Sequence, residues 1–181
     1  AHKLYGPKGI GVLFARIGAP GIRFLHGGHQ EEGFRAGTES VHNIAGFGTA
    51  CRNMDRSTGE YAKVEILKKT MVNGMAAIFP QIVVNSPEED CLPNTLSITL
   101  PGYNSHELMR MLDGYGICVS SGSACSSHLR QPSHVLKAIG LDDKAAMETL
   151  RISLGRETSR RDVDYFLKTL RILLKEHRSR G

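Results

Sequence analysis

Pro80 divides the chain into two kinds of sequence, and that division limits the folds open to it. Proline fixes φ, lacks a backbone N–H and biases the residue before it away from the helical region, so a helical segment ends there. The stretch before it, residues 60–79, reads as one long helix. After it, short apolar strands at 82–84, 95–100 and 117–119 alternate with helices near 105–114, 132–139 and 143–148. A last strand, 150–154, leads into a long helix over 159–177. Elements of these lengths, mixed in this way, predict an α/β portion followed by a smaller α+β domain, with the boundary near residue 60.

The opening "AHKLYGPKGIGVLF" has a different character. Gly6, Pro7, Gly9 and Gly11 mark a tight loop, followed by an expected strand over 10–14. Turn chemistry this dense at the first residues reads as the interior of a domain. A second strand is expected over 22–25, and "HGGHQEEGFRAGTES" reads as a polar, glycine-bearing loop. A helix then starts near Ser40 and runs past Cys51, with Val41, Ile44, Ala45 and Gly48 as a small-residue face.

With 181 residues, 40% apolar and 23% charged, the chain has an ordinary globular composition and can bury a core. No apolar run approaches the ~20 residues a spanning helix needs. The formal charge of +5 includes one dense basic patch at the C-terminus, which a solvated helix end explains more simply than a partner does. Cys51, Cys91, Cys118 and Cys125 form no C-x-x-C pair and are too few for a disulfide scaffold, so free thiols in a reducing compartment are expected.

Three residues stand out chemically. Cys125 lies in "SSGSACSS", residues 120–127, where no large side chain can anchor the backbone. A thiol there suits attack on a substrate held elsewhere, although a free cysteine is commonly just a small buried hydrophobe. Cys118, ending an apolar strand, reads as core. Lys3 sits in the glycine-rich turn; a surface role is the ordinary one for lysine, but a constrained amine is also what forms Schiff bases with carbonyl cofactors. Arg151 in "LRISLGR" alternates with Ile152 and Leu154; turned inward, its cation would be costly unless it met a carboxylate or phosphate. Arg156, opening the next loop, reads as a surface or ion-pair residue.

Taken in order, "HKLYGPKGIG", "GGHQEEGFRAGTES", "LPNTLSITL", "SSGSACSS" with "PSHVLKAIG", and "LRISLGRETSRRDVDYF" resemble the C-terminal half of the NifS/IscS-like cysteine desulfurases. These are pyridoxal-phosphate enzymes of aminotransferase class V. The likeness runs from the first residue to about Leu170. S-S-G-S-A-C belongs to the group with the long cysteine loop.

The resemblance implies the C-terminal part of a fold-type-I, aspartate-aminotransferase-like transferase. Residues 1–60 would close the large cofactor domain with a linker helix, and 61–181 would form the small α+β domain with the cysteine loop. Lys3 would hold pyridoxal 5'-phosphate, His2 would support the cofactor phosphate or orient the lysine, and Thr38 would contact the phosphate in the other subunit of a homodimer. Arg151 would clamp the substrate carboxylate, with Asn94 of "LPN" near the substrate. Cys125 would take sulfur from L-cysteine as a persulfide, leaving L-alanine, and pass it to an iron–sulfur scaffold or another acceptor in the cytoplasm or an organelle matrix. Transient sharing of a cluster with that scaffold is the one metal role implied, for Cys125. The family's remaining cofactor ligands, and the serine of S-x-H-K, would lie upstream of Ala1, so this chain alone is expected to be incomplete. It also ends without the extended tail that the family's housekeeping members use to dock their scaffold.

Two other readings stay open. Selenocysteine lyase shares the fold, the lysine and the loop cysteine. A basic binding module would use "KTLRILLKEHRSRG", but that helix lacks the interleaved aromatics of nucleic-acid binders, and the chain has no Trp.

Overall fold

A computed structural model describes residues 1–21, 23, 25–54, 59–121 and 132–178. The chain divides into two compact units, Ala1–Thr58 and Gly59–Gly181.

The first unit is mostly irregular. A 3-10 turn, His2–Leu4, ends at Tyr5, whose φ of 62° lies in the left-handed region. A second 3-10 turn covers Gln30–Gly33, and Leu25 and Arg35 form an isolated parallel bridge. Helix α1 spans Val41–Arg52. The turn at the start of the chain rests on this helix, where a Cβ on Gly46 would come within 2.6 Å of Pro7 Cγ and one on Gly6 within 3.2 Å of Ala50 Cβ. The packed face of α1 is therefore Gly46 and Ala50. Val41, Ile44, Ala45 and Gly48, the expected small-residue face, are exposed.

The strand expected over 10–14 does not form, and Val12, Leu13 and Phe14 are 81%, 89% and 84% exposed. A strand needs a neighbour for its N–H and C=O groups, and none of the described residues supplies one here. The strand expected over 22–25 falls partly on residues 22 and 24, outside the described ones.

The second unit is built on a four-stranded antiparallel sheet in the order β1-β2-β4-β3. Its strands are β1 (Val83–Val84), β2 (Thr95–Thr99), β3 (Ser120–Ser121) and β4 (Thr149–Ser153). The helices are α2 (Glu60–Ile78), α3 (Ser105–Asp113), α4 (His134–Ala138), α5 (Asp143–Met147) and α6 (Arg160–Arg178). Expected and observed elements differ by a residue or two, except β3, which lies past the predicted 117–119. It forms where Ser120 and Ser121 meet Arg151 and Leu150 of β4.

Period-2 alternation gives the sheet two unlike faces. Leu96 and Ile98 of β2 lie opposite Ile152 and Leu150 of β4 and join the core with Val64, Met71 and Met75 of α2, Leu108 and Leu112 of α3, and Val163 and Leu170 of α6. A Cβ at Gly74 of α2 would collide with Leu167 of α6, so the missing side chain lets these two helices approach closely. Phe79 and Tyr103 meet edge to face, ring centroids 5.4 Å apart, and the Tyr103 hydroxyl donates to the Leu174 carbonyl. The other face carries Thr95, Ser97 and Thr99 from β2 and Thr149, Arg151 and Ser153 from β4.

Candidate functional site

The polar face is closed at one end and more open at the other. At the closed end Thr99 and Thr149 are buried, with hydroxyl oxygens 2.7 Å apart. Thr149 donates onward to the Ala145 carbonyl of α5 at 2.6 Å, and the Asn85 amide donates to Thr99 at 3.0 Å. At the other end Ser153 is exposed and Thr95 half-buried.

Arg151 lies between these ends. Its register partners are Ser97 on β2 and Ser120 on β3, so a guanidinium stands in a row of small hydroxyl side chains across three strands. It does not turn into the apolar layer, because Leu150 and Ile152 occupy the core positions and an unpaired cation there would carry a large desolvation cost. It is half-buried, and among the described residues no carboxylate pairs with it. Arg156, by contrast, is exposed and sits 3.5 Å from Glu157, as an ordinary surface residue would.

Asn94 lies just before β2. Its carbonyl accepts from Leu154 N–H at 2.8 Å, which extends the β2–β4 ladder by one step, and its Oδ1 accepts from the Thr95 hydroxyl at 3.3 Å. Continuing the register sets Asn94 opposite Leu154, on the parity of the core strand positions and not on that of Arg151. Among the described residues no hydrogen bond joins Asn94 to Arg151.

In the first unit, Lys3 and His2 are exposed on the 3-10 turn that packs on α1. Thr38 is exposed three positions before the first residue of α1, following Gly37 at φ 106°. The loop leading to it is held by the Leu25–Arg35 bridge and by Gly37 N–H donating to Gln30 Oε1 at 3.2 Å. Among the described residues no hydrogen bond links Lys3, His2 and Thr38, and no carboxylate pairs with Lys3.

Cys125 lies outside the described residues. The segment leading to it is described up to Ser121, which is 8% exposed and has its hydroxyl 3.2 Å from His106 Nδ1. Cys118 is exposed, contrary to the core role expected for it: Ile117 and Val119 on either side are half-buried, and alternation turns Cys118 outward. Cys91 is half-buried, accepting from Lys68 Nζ at 3.3 Å and donating to the Pro87 carbonyl at 3.1 Å. Among the described residues no cluster of three or more His, Cys, Asp or Glu side chains could hold a metal ion.

Ser97, Ser120 and His106 were not among the expected site residues. The first had a visible signal: T-L-S-I-T and T-L-R-I-S alternate in phase, so Ser97 and Arg151 fall on the same face once the strands pair. His106 had none, because its partner is 15 residues away across a turn.

Residues 1–166 match the aminotransferase class-V family. The chain belongs to that family. Among relatives of class-V type, the cysteine desulfurase IscS of Clostridium botulinum is 39% identical over 181 residues, covering 98% of this chain and 46% of that protein. The cysteine desulfurase NifS of Azotobacter vinelandii is 38% identical over 168 residues, covering 92% and 42%. A solved NifS-like protein superposes with a TM-score of 0.82 at 35% identity, covering 96% of this chain and 44% of that one. A NifS-like protein from Rickettsia africae gives 0.73 at 31%, covering 85% and 40%. The class-V chain thus spans about half the length of the curated relatives it matches, and its mixed α/β structure is part of the fold-type-I transferase fold.

Proposed function

We propose that the protein containing this chain is a pyridoxal-phosphate-dependent cysteine desulfurase. One observation carries the reading: a half-buried arginine without a carboxylate partner among the described residues stands beside Ser120, the first residue of the run that contains Cys125. A small substrate carboxylate suits the Arg151 fork, which presents paired N–H donors in one plane. Its neighbours Ser97 and Ser120 are small enough to leave room. Relatives bearing the desulfurase name at 39% and 38% identity support the same conclusion.

The donor set of the first unit fits the cofactor. Lys3 offers a primary amine on a turn braced by α1, and His2 and Thr38 offer donors suited to phosphate. In this proposal Thr38 serves the phosphate held by the partner subunit of a homodimer. Bound pyridoxal phosphate supplies an electron sink for bonds at the substrate α-carbon. Lys3 moves the proton there, Arg151 holds the carboxylate, and the Cys125 thiolate attacks the substrate sulfur. The balanced outcome is L-cysteine plus Cys125–SH giving L-alanine plus Cys125–S–SH, with the outer sulfur passing to an iron–sulfur scaffold or another thiol acceptor. Among the described residues no helix is long and apolar enough to cross a membrane.

The test is a peptide mass map of the complete protein after incubation with pyridoxal phosphate and L-cysteine. The Cys125 peptide should gain about 32 Da, one sulfur atom, and lose it on reduction. Cys125→Ala should bind cofactor and form no alanine, while Lys3→Ala should lose the covalent cofactor absorbance. Alanine formation at the wild-type rate by Cys125→Ala would overturn the assignment.

A further inference from the structure

The strand that introduces the cysteine run is too short to hold itself. β3 has two residues, Ser120 opposite Arg151 and Ser121 opposite Leu150, and a ladder of that length is marginal without other support. Support comes from α3. Ser121 is 8% exposed, and its hydroxyl lies 3.2 Å from His106 Nδ1.

His106 is itself well placed to act as a fixed point. The Asn104 side chain caps α3, accepting from the backbone N–H groups of His106 at 3.0 Å and Glu107 at 3.2 Å, and Ser105, between Asn104 and His106, is 2% exposed. The far end of the connection is tied down too. Ile117 N–H donates to the Leu112 carbonyl at 3.1 Å, and the Tyr165 hydroxyl of α6 donates to the Tyr115 carbonyl at 3.0 Å. The His106–Ser121 contact, spanning 15 residues, closes α3 and β3 into a ring that ends beside Arg151.

We propose that His106 is a positioning residue: acting through Ser121, it fixes the stem from which the 120–127 run departs and holds that stem on the strand carrying Arg151. The kinetic consequence rests on the desulfurase reading, while the structural consequence does not. Losing the contact should loosen the stem and slow the step that needs the thiol brought to the substrate. Carboxylate binding should be little affected, because β4 keeps its five-residue pairing with β2.

The experiment compares His106→Leu, His106→Asn and Ser121→Ala in the complete protein by amide hydrogen exchange and steady-state kinetics. His106→Leu and Ser121→Ala should each speed exchange over 117–121 by about fivefold, the weight of one ordinary hydrogen bond on local opening, with exchange in α6 unchanged. His106→Asn should restore protection to within about twofold, since its amide places a polar atom near the position of Nδ1. In desulfurase assays kcat of His106→Leu should fall about fivefold with KM within about twofold of wild type. Unchanged exchange over 117–121 in both His106→Leu and Ser121→Ala would overturn the proposal. So would equal acceleration in α6, which would mean general destabilisation. Alanine production absent from wild type as well would sink the desulfurase reading and leave the exchange result to decide the positioning role.

Discussion

Replacing Thr149 by valine tests whether the closed end of the polar face holds β2 and β4 in register. The two side chains have nearly the same shape, so the change removes a hydroxyl and leaves no cavity. Each threonine has one hydroxyl proton. Thr149 gives its proton to the Ala145 carbonyl at 2.6 Å, so in the 2.7 Å contact with Thr99 it is Thr99 that donates, while accepting from Asn85. Thr149→Val therefore strips the acceptor from a Thr99 hydroxyl that is 4% exposed, and the donor from Ala145. At about 1 kcal/mol for each lost bond, plus the penalty of a buried unsatisfied donor, the cost is about 2–3 kcal/mol. Thr99→Val leaves the Thr149–Ala145 bond intact but loses the bond to Thr149 and the one from the Asn85 amide, and should cost about 2 kcal/mol. The double variant loses the shared Thr99–Thr149 bond once instead of twice and no longer contains the stranded Thr99 hydroxyl, so its cost should fall short of the sum by about 1–2 kcal/mol. Urea unfolding followed by far-UV circular dichroism measures all three. Strict additivity, or a Thr149→Val cost below about 0.5 kcal/mol, would refute the proton assignment and with it the view that these hydroxyls lock the register of Arg151.

Three other outcomes are expected. Arg151→Ala should raise KM for L-cysteine by about 100-fold or more with little change in unfolding midpoint, and Arg151→Lys should fall between because it keeps the charge and loses the fork; equal loss of stability and affinity would argue for a structural arginine. The Asp162 carboxyl is held below the usual aspartate range, first by the Ser159 hydroxyl and then by the Ser159 N–H. A depressed folded value means that its stabilisation is present above the ordinary aspartate range and is lost as pH falls through that lower value, so the acid slope of the urea midpoint should flatten in Asp162→Asn. Gly46→Val should push Pro7 and the Lys3 turn off α1 and weaken pyridoxal phosphate uptake in an absorbance titration. Gly48→Val, whose new Cβ would meet nothing nearer than Arg52 Nη1 at 4.0 Å, should not.

How much of this was legible in the sequence depended on where each element's partners lie. Helices α2 and α6 could be read almost to their ends, since their hydrogen bonds are internal and their signals local: Pro80 after α2, and Ser159 with Asp162 opening α6. Strands β2 and β4 were readable because their alternation is strong and each finds the other inside the chain. Residues 10–14 have an equally apolar pattern and form no strand, because a strand is defined by its neighbour and the described chain offers none. The candidate site divides in the same way. Lys3, Arg151 and Cys125 declared themselves by residue type in an unusual setting. The groups around Arg151 and the stem did not: Ser97 and Ser120 reach it through strand pairing, and His106 reaches Ser121 through a turn. His106 has no local signature, and that of Ser97, the shared phase of T-L-S-I-T and T-L-R-I-S, has meaning only once the strands pair. Candidate reactive residues can thus be proposed from sequence, whereas the groups placed beside them become visible only once the ladder between β3 and β4 is known.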